Sequence, residues 1–114
     1  MNWPNDADGD TFRRLQRAGF DLRKTYSIDF NVDFDSWPPP KEAVEILKAK
    51  FPKLKLLDPD EEAIKEGRNG YILFQIEDKL TYDLVIRIQE DVTNLVKKYG
   101  GVCESWGVLH EKIA

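Results

Sequence analysis

Thr25-Tyr26-Ser27-Ile28-Asp29-Phe30-Asn31-Val32-Asp33-Phe34-Asp35 alternates without a break. Successive side chains of an extended strand point to opposite faces, so Tyr26, Ile28, Phe30, Val32 and Phe34 share one face. Ser27, Asp29, Asn31, Asp33 and Asp35 share the other. Period two over such a length predicts a strand with one face in a core and one in water. The elements that cover the apolar face must come from the flanking sequence.

On the carboxyl side, Trp37 and the run Pro38-Pro39-Pro40 end the strand. Pro40 suits the first turn of a helix, where its missing N–H has no intrahelical partner. A helix follows to about Lys50, with Ala43, Val44, Leu47 and Phe51 on its apolar face and Lys41 and Glu45 as an outer i,i+4 pair. Pro52 stops it. Lys53–Leu57 reads as a short strand, and Asp58–Gly70 as a polar, acidic connection with Gly67, Asn69 and Gly70 as turn residues, the best candidate for a mobile loop. Tyr71–Glu77 carries apolar residues on both faces, which predicts a central strand with its second surface also covered. The longest helix runs from Thr81, an N-cap residue, to Tyr99, along the stripe Leu84, Val85, Ile88, Val92, Leu95, Val96 and Tyr99. Gly100 suits a left-handed stop, and Val102–Leu109 is the last strand.

On the amino side, Phe12, Leu15 and Ala18 recur at helical spacing, predicting a helix over Asp10–Ala18 that ends near Gly19. After this leading helix the order is β-α-β-β-α-β. The expected class is α+β, a ferredoxin-like β-α-β-β-α-β sandwich with an extra N-terminal helix packed on the remaining sheet surface. No internal period points to a repeat architecture.

The 114 residues fit one domain over 1–114. Hydrophobic residues make up 41% and charged residues 33%, enough to bury a core and still dissolve. No apolar run approaches the roughly 20 residues that cross a bilayer, and the amino terminus has no signal-like core, so a cytoplasmic protein without membrane contact is expected. Cys103 is the only cysteine, which excludes an intrachain disulfide. A formal charge of −4 repels a polyphosphate backbone, so direct nucleic-acid binding is not expected.

Asp6, Asp8 and Asp10 have the alternation that opens a calcium loop. That loop needs glycine at its sixth position and a bidentate acid at its twelfth, and counted from Asp6 these are Thr11 and Arg17. Acids at a helix start are explained by capping of free N–H groups. His110 is the only histidine, and with Cys103 it assembles neither a zinc set nor a nucleophile–base pair. Asp29, Asp33 and Asp35 have no candidate nucleophile or glycine-rich phosphate cradle beside them. No enzymatic activity, metal or cofactor is expected.

The element order also belongs to the RNA-recognition motif, which stacks bases on exposed strand aromatics beside basic residues. Here the strand aromatics alternate with acids, and a face of that sign repels RNA. Two readings of the stripe stay open. It is a solvated polar face, or it is a surface for a basic protein segment, since i,i+2 carboxylates lie about 6.5–7 Å apart, close to the phosphate spacing of a nucleic-acid strand. Trp37 has two readings as well, an exposed interface anchor or a ring packed on the following helix.

Asn5-Asp6-Ala7-Asp8-Gly9-Asp10-Thr11-Phe12-Arg13-Arg14-Leu15 at one end and Gly100-Gly101-Val102-Cys103-Glu104-Ser105-Trp106-Gly107 at the other resemble the two signature ends of the RraB family, regulators of ribonuclease E activity. The likeness covers nearly the whole chain. It departs at Glu104-Ser105, where the family more commonly has Asp-Gly, and at Lys79-Leu80-Thr81, where proline-threonine is usual before the long helix. The resemblance implies an α+β protein that binds ribonuclease E and inhibits its cleavage of RNA by protein–protein contact, with no active site. Partner-binding residues expected from the acidic stripe are Asp29, Asp33, Asp35 and Trp37. The alternatives are an acidic binding or immunity-type module for an unrelated basic protein, and a subunit that self-associates through its sheet; a monomer or weak homo-oligomer is expected.

Overall fold

The structure, a computed structural model, describes residues 3–108. Its elements in chain order are α1 (Ala7–Arg17), β1 (Thr25–Phe34), α2 (Lys41–Lys50), β2 (Lys55–Leu57), α3 (Glu61–Lys65), β3 (Tyr71–Lys79), α4 (Tyr82–Val96), a 3-10 turn (Lys97–Tyr99) and β4 (Gly101–Val108). The chain is therefore α+β. Its four strands form one antiparallel sheet in the order β2-β3-β1-β4.

The alternation that predicted β1 also sets its burial. Tyr26, Ile28, Phe30, Val32 and Phe34 are all buried, while the residues between them are half-buried or exposed. Directly opposed residues of an antiparallel pair point to the same side. Ile72 and Phe74 of β3 and Cys103 and Trp106 of β4 therefore extend the face set by Val32 and Phe30. Phe30 and Phe74 stack with ring centres 5.3 Å apart, and Phe51, just past α2, stacks on Phe74 at 3.9 Å. Helix α4 contributes Leu84, Val85, Val92 and Val96, and α2 contributes Ala43 and Leu47, to the same core.

Local chemistry fixes the ends of α4 as expected. The Thr81 hydroxyl accepts from the Leu84 N–H, and Gly100 closes the 3-10 turn at φ +79°, a region that costs a residue with a Cβ. Lys41 and Glu45 form the expected outer pair at 4.0 Å. Leu109, read above as the end of the last strand, and His110 lie outside the described residues.

Three expectations are corrected. The acidic connection contains helix α3, started by the Asp60 carboxylate accepting from the Ala63 N–H and stopped at Gly67, so the run is not the six-element order predicted. Helix α1 begins at Ala7 instead of Asp10, because Asp6 caps it. It also packs on the helix side of the sheet, not on the opposite surface. Its Phe12 meets Tyr82 of α4 at 6.3 Å and Trp106 of β4 at 5.2 Å, and Trp3 stacks on it at 5.5 Å. Among the described elements nothing covers the second sheet face, although β3 carries apolar residues on both sides.

Candidate functional site

Acids at the start of the chain are occupied by the fold. Asp6 accepts from the Gly9 N–H at 2.7 Å and, with its other oxygen, from the Tyr82 hydroxyl. The Tyr82 hydroxyl, then the Gly9 N–H, hold the Asp6 carboxyl below its ordinary 3.8, and the same bond pushes the Tyr82 phenol up to about 12. Asp8 accepts from the Trp106 indole at 2.8 Å and from the Gln89 amide at 3.5 Å. Asp10 pairs with Arg13. Gly9 has no room for a side chain, since a Cβ there would lie 2.0 Å from the Pro4 carbonyl oxygen. The two terminal motifs of the sequence thus meet in space, joined by the Asp8–Trp106 bond. Their acids cap a helix and bind indole, phenol and amide donors.

The acids of β1 stand on the uncovered face. Successive rows of opposed residues cross it as Leu57–Tyr71–Asp33–Val102, then Lys55–Leu73–Asn31–Ser105, then Gln75–Asp29–Gly107. Asn31 donates to the Ser105 hydroxyl at 3.1 Å, and Gln75 donates to Asp29 at 2.6 Å. Asp33 lies between Tyr71 and Val102 and accepts no hydrogen bond from a side chain among the described residues, and partial burial, then the nearby charge of Glu104, raises its carboxyl above the usual 3.8. Glu104 is the extra residue of a bulge, where pairing jumps from Asn31–Ser105 to Val32–Cys103. Burial, with the charges of Asp33 and Glu104 behind it, pushes the Cys103 thiol up to about 12, which leaves it a neutral core group.

Asp35 lies beyond the last residue of β1. Its N–H donates to the Gly100 carbonyl at 3.0 Å, and its exposed carboxylate sits over Gly100. The stripe predicted from alternation is therefore two carboxylates on the strand and a third at its end. It is also not purely polar. Leu57, Tyr71, Leu73 and Val102 are half-buried beside the acids, a mixture that period-two reading of β1 alone does not show. The tyrosine and leucine were visible in the sequence as the apolar residues on the wrong face of β3; Glu104 was not, because a bulge depends on pairing register.

Trp37 is half-buried and held at the Asp33 end of the sheet. Its indole donates to Asp58 at 2.8 Å, and its ring fills the space beside Gly70, the residue before Tyr71. Asn69 donates to the carbonyls of Phe34 and Asp35, both at 3.1 Å, and so ties this end of β1 to the α3 loop. Among the described residues no group of three or more His, Cys, Asp or Glu could hold a metal ion, and no helix is long and apolar enough to cross a membrane.

A family model, RraB, described as Regulator of ribonuclease activity B, matches residues 5–108. None of the curated proteins matches the chain. The matched span begins at the acids that cap α1 and ends with β4, so it holds both partners of the Asp8–Trp106 bond.

Proposed function

This chain belongs to the RraB family, whose membership implies a non-enzymatic regulator of ribonuclease E activity, and on that premise we propose that it binds the enzyme through its open sheet face. The observation that carries this reading is the state of Asp33. An exposed carboxylate between the half-buried Tyr71 and Val102, with the like charge of Glu104 nearby and no side-chain donor among the described residues to balance it, gains when a cation covers it. An arginine from the partner fits this patch. Its guanidinium meets Asp33, and its stem and plane lie on Tyr71 and Leu73, while Asp29, four residues and about 13 Å along the strand, faces a second cation of the same segment. Asp35 extends the negative field at the end of β1, and Trp37 borders the patch at the same end as an aromatic already fixed by Asp58. Contact with a basic segment of the enzyme inhibits RNA cleavage by occupying a surface that RNA would otherwise meet, without contact between this chain and RNA.

The ferredoxin-like reading of the sheet belongs to the same proposal. It is supported by β3 lying between β1 and β2 and by β1 lying between β3 and β4, while α3 and the three-residue β2 depart from the plain form. A cytoplasmic monomer is the state in which this face is free for the enzyme.

Changing Asp29, Asp33 and Asp35 together to Asn tests the reading, with ribonuclease E binding measured from low to high salt. The expected result is an affinity loss of at least about tenfold at low salt and a flatter salt dependence. Unchanged affinity with an unchanged salt slope would sink the acidic-face assignment and leave the family membership intact.

A further inference from the structure

The two edges of the sheet are finished differently. At β4, Glu104 bulges out of register, and the Thr93 hydroxyl of α4 accepts from the Cys103 N–H at 2.9 Å and donates to the Cys103 carbonyl at 3.4 Å. At Cys103 that edge is capped by a side chain of α4. At the other side, β2 pairs only with Tyr71, Ile72 and Leu73. From Phe74 to Lys79, β3 has β1 on one flank and no described strand on the other, and its pairing with β1 runs without a bulge. Such an edge presents a row of backbone donors and acceptors ready to pair.

Two clefts flank this free edge, one on each face of the sheet, and both are lined by Lys53, Phe74 and Gln75. The cleft on the open face, about 380 Å³, is polar and adds Ser27, Lys55 and Glu77. The cleft on the helix face, about 270 Å³, is apolar and is walled by Phe51, Pro52, Leu54 and Phe74. Alternate side chains of an added strand point to opposite faces, so one set would enter the polar cleft and the other the apolar one. The charge here is opposite to that of the chain as a whole. Lys50, Lys53, Lys55 and Lys79 have no ion-pair partner among the described residues and outnumber Glu77 and Asp78 on the strand.

We propose that the Phe74–Lys79 edge of β3 is a strand-addition site for an extended segment of a partner protein in which acidic and aliphatic residues alternate. Acidic side chains meet Lys53 and Lys55, aliphatic ones fill the space beside Phe51 and Leu54, and the backbone of β3 supplies the pairing. A second copy of this chain fits less well. Antiparallel pairing of two such edges in full overlap sets Asp78 of one copy diagonally beside Glu77 of the other, and like charges at that spacing disfavour the pair. The site adjoins the acidic patch through Leu73 and the Gln75–Asp29 bond, but its lysines and its free backbone edge lie outside that patch and Asp33 is not part of it.

The test is selection of random peptides displayed against the intact protein, followed by amide hydrogen exchange with the enriched peptide bound. The expected peptides alternate Asp or Glu with Val, Ile or Leu and slow exchange within Phe74–Lys79. They lose about tenfold or more in affinity for the Lys53→Glu, Lys55→Glu double variant, whose changed side chains are both exposed, and nothing for Asp33→Asn. Enrichment of basic peptides, protection confined to other elements, or no enrichment at all would overturn the proposal. A concentration-dependent mass with the same amides protected would assign the edge to a second copy instead and overturn it equally.

Discussion

Asp8 and Asp33 are the same residue in two settings. Asp8 takes hydrogen bonds from an indole and an amide and joins the first helix to the last strand. Asp33 sits on an open face between apolar neighbours, with Glu104 nearby and its carboxyl pushed upward. A carboxylate whose oxygens are supplied with donors by its own fold is part of the scaffold. One held partly out of water with another negative charge beside it is a place where the molecule is incomplete. Sequence spacing separates a set at a helix start from a set on a strand, but does not say which acids receive donors from elsewhere in the fold.

The contrast predicts its largest effect at Asp8. Changing it to Ala strands the Trp106 N–H and removes one acceptor from Gln89, which is only 8% exposed. Trp106 is half-buried and Gln89 keeps its bond to the Val85 carbonyl, so the loss is that of one part-buried hydrogen bond to a charged acceptor, about 1–3 kcal/mol, and urea unfolding should show it. A loss inside the ordinary surface range, about 0.5 kcal/mol, would break the comparison from the scaffold side.

Next comes the Asp6–Tyr82 pair, which has a signature in pH. Asp6 is held below 3.8 in the folded state, so its contribution is present above that value and is lost as pH falls through the folded pKa. Tyr82 is raised from 10.0 to about 12, so its contribution is present below 10.0 and is lost as pH climbs towards 12. Replacing Asp6 by Asn should flatten both limbs of the stability profile and return the Tyr82 titration, read by tyrosinate absorbance, towards 10.0. A Tyr82 titration unmoved by the change would show that the phenol is not bonded to this acid.

The smallest stability effect should come from Asp33. Its folded pKa lies above 3.8, so the charged form opposes folding at neutral pH, and its contribution is present at low pH and lost as pH rises through the folded value. Asp33→Asn should therefore leave stability unchanged or slightly higher, within about 0.5 kcal/mol, while lowering affinity for the enzyme. A clear destabilisation would place Asp33 with the scaffold acids and sharpen the search towards Asp29 and Asp35.

Much of the fold was legible because its strongest signals are periodic and local. The alternation from Tyr26 to Phe34 named the core face of β1 residue by residue, and Thr81 and Gly100 marked the limits of the long helix and its closing turn. Helix α3 was missed because five residues in an acidic segment carry too little periodicity to separate a helix from a loop. The side on which α1 packs was missed for a different reason. It depends on Trp106 sharing a face with Phe30, a consequence of strand register between residues far apart in sequence. The acids of the candidate site were legible as a stripe. Tyr71 and Leu73 were legible as apolar residues on the second face of β3, but their place beside the acids was not, since Tyr71 and Val102 reach Asp33 only through pairing on both sides of β1.

The bond between Asp8 and Trp106 also sets an order on the making of the molecule. Helix α1 has 11 residues, too few to be stable alone in water, where about 12–15 are marginal even for good helix formers. Its docking partners Tyr82 and Trp106 are synthesised far later, and at roughly 5–20 residues per second the delay between Asp8 and Trp106 is on the order of 5–20 seconds. Helix α1 thus leaves the ribosome well before its platform and is among the last elements to settle, and a nascent chain halted before β4 would carry α1 with its Trp106 platform not yet made.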